Sequence, residues 1–184
     1  MTKIILTSTL LLLYNWCFSQ TDSTKKTFIK DNYQIQYPST WKIDTSRTMG
    51  TEFMIFAPKE NDTDVFSENV NFIIQNLQGT QIDLEKYKQI SEKQYSEFFS
   101  DVQIFESAII KDHSNEFYRS SFAMTQGKFR IRITAVCFIK NEKAYLLTFT
   151  SEFANYERFK SVGEEMLNSF SIKSVELRIK NVEL

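Results

Sequence analysis

The chain has 184 residues, a formal net charge of −1 and 24% charged side chains, so no basic excess draws it to nucleic acid or to an anionic lipid surface. It holds only two cysteines, one of them inside an amino-terminal run expected to be removed, which leaves no intrachain disulfide and makes a hydrophobic core the source of stability. A chain of this length buries about 70% of its unfolded surface, enough for one domain without covalent staples.

Residues 1–19 open with Lys3 and continue with an apolar run from Ile4 to Leu13. That run is shorter than the roughly twenty apolar residues a membrane-spanning helix needs, and it reads as a secretory signal. Cys17-Phe18-Ser19 offers the small-x-small pattern that precedes cleavage, which places the mature start at Gln20. Lipidation at Cys17 is disfavoured, because Trp16 stands where a lipoprotein signal has a small residue. Cleavage removes Lys3 and no acid, so the net charge falls from −1 to −2. The expected product is exported, periplasmic or secreted, with no stable membrane insertion, and residues 20–184 are expected to form one domain with a core over about 27–172.

Strand patterning starts at Thr27. TFIK and YQIQY flank Asp31-Asn32, a pair that tolerates the left-handed turn of a tight hairpin. Tyr33, Ile35 and Tyr37 share one face; Pro38 lacks an amide donor and ends the ladder. Trp41 opens the next run and is expected to pin a corner of the core rather than meet a ligand. FMIFA forms a further strand, and VNFIIQNL, apolar on both faces, reads as a central one. From Ile82 to Phe99 the period becomes helical, with Leu84, Tyr87, Ser91, Tyr95 and Phe98 on one face, Ile90 and Phe99 widening it, and Asp83 as N-cap. Strands follow in QIFESAII, EFYRSSFAMT, KFRIRITAVCFI and AYLLTFT, the last two around KNEK. A second helix covers Tyr156 to Phe170, with Gly163 on its apolar stripe to permit close approach to the sheet. The alternation in SIKSVELRIKNVEL allows an edge strand. This order gives an α+β fold: a central antiparallel sheet with two main helices packed on it.

Residues that could carry chemistry are few. Gly50, Gly79, Gly127 and Gly163 are isolated, so no glycine-rich loop cradles a phosphate. His113, the only histidine, sits in the polar connection KDHSNE and reads as a loop residue; as a base it would have Ser114 or Glu116 beside it. Cys137 shares the parity of Ile131 and Ile133 and therefore reads as a core thiol. The stretch ENDTDVFSE gathers Glu60, Asp62, Asp64 and Glu68, and hard cations want several oxygen ligands at close spacing. It lacks the glycine and terminal-glutamate spacing of an EF-hand loop. Asp62, Asp64 and Glu68 are thus the weak metal candidates, and a solvated acidic turn is the favoured reading. No catalytic residue and no cofactor is expected. Seventeen phenylalanines fall mostly on apolar stripes and read as core.

Taken together, YQIQYPSTWKI, SENVNFIIQNL with the Asp83 helix, KAYLLTFTSE and the closing EEMLNSFSI resemble the PsbP-like family over residues 27–172. Its namesake is the extrinsic lumenal subunit of photosystem II, and a Ran-binding protein shares the fold. The resemblance implies a central antiparallel sheet with helices packed on it and a non-catalytic role. Pro38 and Trp41 match the family's strand-ending proline and following tryptophan. The resemblance carries over neither the photosystem docking role, which uses a long basic extension, nor the Ran-binding surface. Two functions follow as expectations. The preferred one is an exported binding or assembly module whose partner is an envelope protein component. The alternative is a hydrolase or metal-dependent enzyme built on the Glu60–Glu68 loop and His113.

Overall fold

The computed structural model describes residues 24–112 and 115–172. The expected signal segment, His113 and the expected edge strand beyond Ile172 lie outside the described residues.

β1 (Lys25–Lys30) and β2 (Tyr33–Pro38) form the hairpin read from the sequence, with Lys30 opposite Tyr33 and Asp31 in the left-handed region at φ 49°. After Pro38 the chain turns sharply, the Trp41 amide donating to the Pro38 carbonyl at 3.0 Å. β3 (Lys42–Asp44), a single 3-10 turn at Thr48–Gly50, β4 (Phe53–Phe56) and β5 (Asn69–Asn76) follow. Next come α1 (Leu84–Phe98), the four long strands β6 (Gln103–Asp112), β7 (Asn115–Gln126), β8 (Phe129–Lys140) and β9 (Lys143–Glu152), then α2 (Tyr156–Ser169) and the short β10 (Ser171–Ile172).

Seven strands form one antiparallel sheet in the order β3-β4-β5-β9-β8-β7-β6, and β1-β2-β10 form a separate three-stranded sheet. The seven-stranded sheet is the central antiparallel sheet expected from sequence, and the first hairpin stands apart from it. The reason lies at the corner: Pro38 cannot continue the ladder, and the turn after it redirects the chain before β3 begins. VNFIIQNL is interior, as its two-sided apolarity requires, lying between β4 and β9.

The large sheet is covered on both faces. On one side α2 and β2 pack over β4, β5 and β9, where Tyr33, Ile35, Phe53, Ile55, Phe72, Leu147 and Phe149 are buried. Gly163 permits this approach: a Cβ there would stand 2.6 Å from the Phe149 ring. Trp41, 6% exposed, meets Phe159 of α2 edge-on at 6.3 Å between ring centroids, so it packs the corner. On the other side α1 lies over β6 and β7, with Tyr95 stacked on Phe122 at 4.1 Å. Asp83 caps α1 by accepting from the Lys86 amide at 2.8 Å. Phe98, expected on the buried face, is 71% exposed. The helix ends there, the backbone becomes extended at Phe99, and Phe99 takes the place in the core.

Candidate functional site

The acidic loop does not gather its carboxylates. Glu60 points to Arg158 of α2, 2.7 Å away. Asp64 folds back on its own loop and accepts the Glu60 amide at 3.0 Å, while Asp62 is exposed. Glu68 turns inward and is 3% exposed; Ser151 Oγ donates to it at 3.3 Å and Asn155 Nδ2 at 3.5 Å. Among the described residues, no three Asp, Glu, Cys or His side chains come close enough together to hold a metal ion. Glu116 pairs with Lys111 at 3.1 Å. Cys137 is fully buried, and burial pushes its thiol up to about 12, far from the thiolate a nucleophile requires.

The α1 side of the sheet carries a hydroxyl network. Ser107 Oγ donates to Glu92 Oε1 at 2.5 Å and lies 3.1 Å from the Tyr118 hydroxyl. Tyr95 OH lies 3.2 Å from Ser120 Oγ, and Tyr87 OH donates to Gln75. Burial raises the Tyr87 and Tyr95 phenols above their ordinary value, so both stay protonated donors. These contacts seat α1 on the sheet.

The opening in the fold lies on the other side. The carboxyl-terminal end of α2 and β10 stop short of the β6 edge, and a groove of about 720 Å³ remains over β7 and β8. Its floor is Phe117, Val136 and Phe138, and its wall is Leu167, Phe170 and Ile172. The Phe117 and Phe138 rings are 5.4 Å apart, Phe138 stacks on Phe170 at 6.3 Å, and Phe170 reaches Phe72 in the core at 4.8 Å. The groove floor is thus the outer end of the aromatic core. At its polar side Arg119 is held by two carboxylates, Glu106 of β6 at 3.1 Å and Glu164 of α2 at 2.5 Å. Burial by itself would lower the guanidinium pKa, but the bonds to Glu164 and Glu106 outweigh it and hold the group above its ordinary value. Lys140, Glu116, Asn168, Ser171 and Asp83 also line the groove. Neither a cysteine nor a histidine is among the described residues that line it. What the groove offers is an apolar floor bordered by a polar and charged rim of comparable extent.

The sequence reading missed this groove because it assigned the phenylalanines to the core as a group. The available signal was parity: Phe117 and Arg119 share a face of β7, so one side of that strand mixes an aromatic with a charge and is not fully covered.

Solved structures resemble this arrangement. Cyanobacterial PsbP (CyanoP) from Synechocystis superposes with a TM-score of 0.61 at 13% identity, covering 85% of this chain and 96% of that one. The fold is PsbP-like. LpqN of Mycobacterium tuberculosis, a protein involved in cell envelope biogenesis, matches with a TM-score of 0.54 at 9% identity over 85% of this chain and 88% of its own. A Bacteroides thetaiotaomicron protein matches with a TM-score of 0.54 at 15% identity over 82% of this chain and 49% of that one. At these identities the likeness shows the fold alone. No family model and no curated protein matches the chain.

Proposed function

We propose that the protein is an exported, non-catalytic binding or assembly module whose partner is a protein component of the cell envelope. The observation that carries this reading is the groove over β7 and β8, an apolar floor on the sheet beside Arg119, which two carboxylates already hold. Such a surface suits a partner held by contact area. The signal-like segment 1–19 supports export, with residues 20–184 as the module. No helix among the described residues is long and apolar enough to cross a membrane. LpqN, which shares the fold, works in envelope biogenesis, and that support is by analogy of fold.

The test is site-specific photocross-linking in the native envelope. A photoreactive side chain at Phe138, in the groove, is expected to trap one adduct of defined mass, and the same group at exposed Val65 is expected to trap none. Substituting Phe117→Asp should abolish the Phe138 adduct while the protein remains folded and exported. Equal trapping at both positions, or none at Phe138, overturns the reading.

A further inference from the structure

A sheet edge presents unpaired backbone donors and acceptors, and proteins keep such edges short, charged or bent to avoid unwanted pairing. Three of the four edges here follow that rule. β3 has three residues and β10 two, and β1 carries Lys25, Lys26 and Lys30. β6 does not. It is ten residues long and terminal in the seven-stranded sheet. Its bulge sits between Ile104 and Glu106 and leaves the rest regular. From Glu106 to Ile110 it has no proline and no lysine, and every residue is half-buried.

We propose that β6 is a self-pairing edge: two copies of this chain join antiparallel through it and continue the large sheet across a two-fold axis. That axis must stand perpendicular to the sheet, so each face of one copy continues as the same face of the other, and opposite residues must share parity. Ala108 opposite Ala108 satisfies this with the smallest side chain of the strand on the axis. Ser107 then faces Ile109, and Glu106 faces Ile110. Moving the centre to Ile109 would set Glu106 against Asp112, acid against acid, which disfavours that register.

Near the edge Glu106 is paired with Arg119 and Lys111 with Glu116, both at 3.1 Å. In the Ala108 register Glu106 faces Ile110 and Lys111 faces Phe105, so neither meets a like charge directly across the axis. Ala108 and Ile110 lie beside Arg119 and Phe117 in the β6–β7 register, on the groove side. Pairing would thus join the open strips of two copies into one surface. The regular overlap is short, so self-association is weak and concentration-dependent. It concerns the chain's own edge and stands or falls independently of the envelope partner.

The test uses the full chain with Cys17→Ala and Cys137→Ala, so that an introduced cysteine is the only thiol. Opposite residues in an antiparallel pair have Cα atoms about 4.5–5.5 Å apart, within disulfide range. Ala108→Cys should therefore oxidise to a disulfide dimer, whereas Ile110→Cys alone should stay monomeric. Ile110→Cys mixed with Glu106→Cys should give the mixed dimer. Without added cysteine, sedimentation should show a mass rising towards twice the chain's with concentration, and Ala108→Lys should hold it monomeric with an unchanged circular dichroism spectrum. A monomer up to the solubility limit, or indiscriminate cross-linking at 108 and 110, overturns the proposal.

Discussion

Over β4, β5 and β9 the α2 side of the large sheet is sealed, with Phe53, Phe72, Leu147 and Phe149 inaccessible to water. A few strands along the same face, Phe117 and Phe138 are only half-buried beside the groove. Both regions use aromatic side chains of matching parity on long antiparallel strands, so composition does not separate them. Coverage does. Gly163 lets α2 press against Phe149, whereas at β7 the helix meets the sheet through the Arg119–Glu164 ion pair, and the groove stays open beside it. One small residue and one charged pair mark the division of the face into a sealed core and an open groove.

The contrast is sharpest when comparable rings are removed from both regions. Phe72→Ala deletes a fully buried ring that meets Tyr33, Phe53 and Phe170, and it should cost about 3–5 kcal/mol. That is a large share of the roughly 5–15 kcal/mol that holds a domain together. Phe138→Ala deletes a half-buried ring and should cost about 1–2 kcal/mol by the proportion of area lost. Urea titrations of both variants decide it. Equal losses would mean that the groove is as much core as the sealed region.

The sealed region was the more legible in the sequence, for a physical reason. Alternation in YQIQY, and apolar residues on both faces of VNFIIQNL, follow directly from burial on one or both faces of a strand. The stripe of α2, including Gly163, could be read because a helix packed along its length keeps a strict period. The groove could not be read in this way. A ring lining an open floor and a ring in a sealed core satisfy the same parity, and what separates them is where α2 ends relative to β7, a tertiary fact. Nor does the sequence reveal that Glu68 turns inward while Glu60 reaches Arg158, since neighbouring acids look alike until the backbone directs them apart. Phe98 and Phe99 posed the same difficulty, because only the helix end decides which of the two is buried.

On the α1 side, the cap offers a smaller test. Asp83→Ala removes the acceptor for the Lys86 amide and should cost about 1 kcal/mol, with Asp83→Asn retaining most of it. Asp83 also borders the groove. If Asp83→Asn, which keeps the cap, lowers photocross-linking yield at Phe138, the rim charge contributes to binding; if it does not, the cap role is sufficient.

The smallest effect is expected at Asp101, between α1 and β6, and its pH dependence has a definite sign. The carboxylate accepts from Thr125 Oγ1 at 2.5 Å, from the Thr125 amide at 3.2 Å and from Arg130 at 2.8 Å. These hydrogen bonds, Thr125 first and Arg130 after it, hold its carboxyl below the usual value. A group with a depressed folded pKa binds its proton less readily in the native state than in the unfolded one. Its stabilisation is therefore present above the unfolded carboxyl pKa of about 3.9 and is lost as pH falls through the lower folded value. Asp101→Asn should be slightly less stable than the parent at neutral pH, and the gap should close as the titration moves below about pH 4. Added salt should narrow the neutral-pH gap only partly, because the Arg130 pair is screened while the Thr125 bonds are short-range. A gap that stayed constant from neutral to acid pH would show that these bonds do not depend on the carboxylate charge. The tie between the α1–β6 connection and the β7–β8 hairpin would then be one of shape alone.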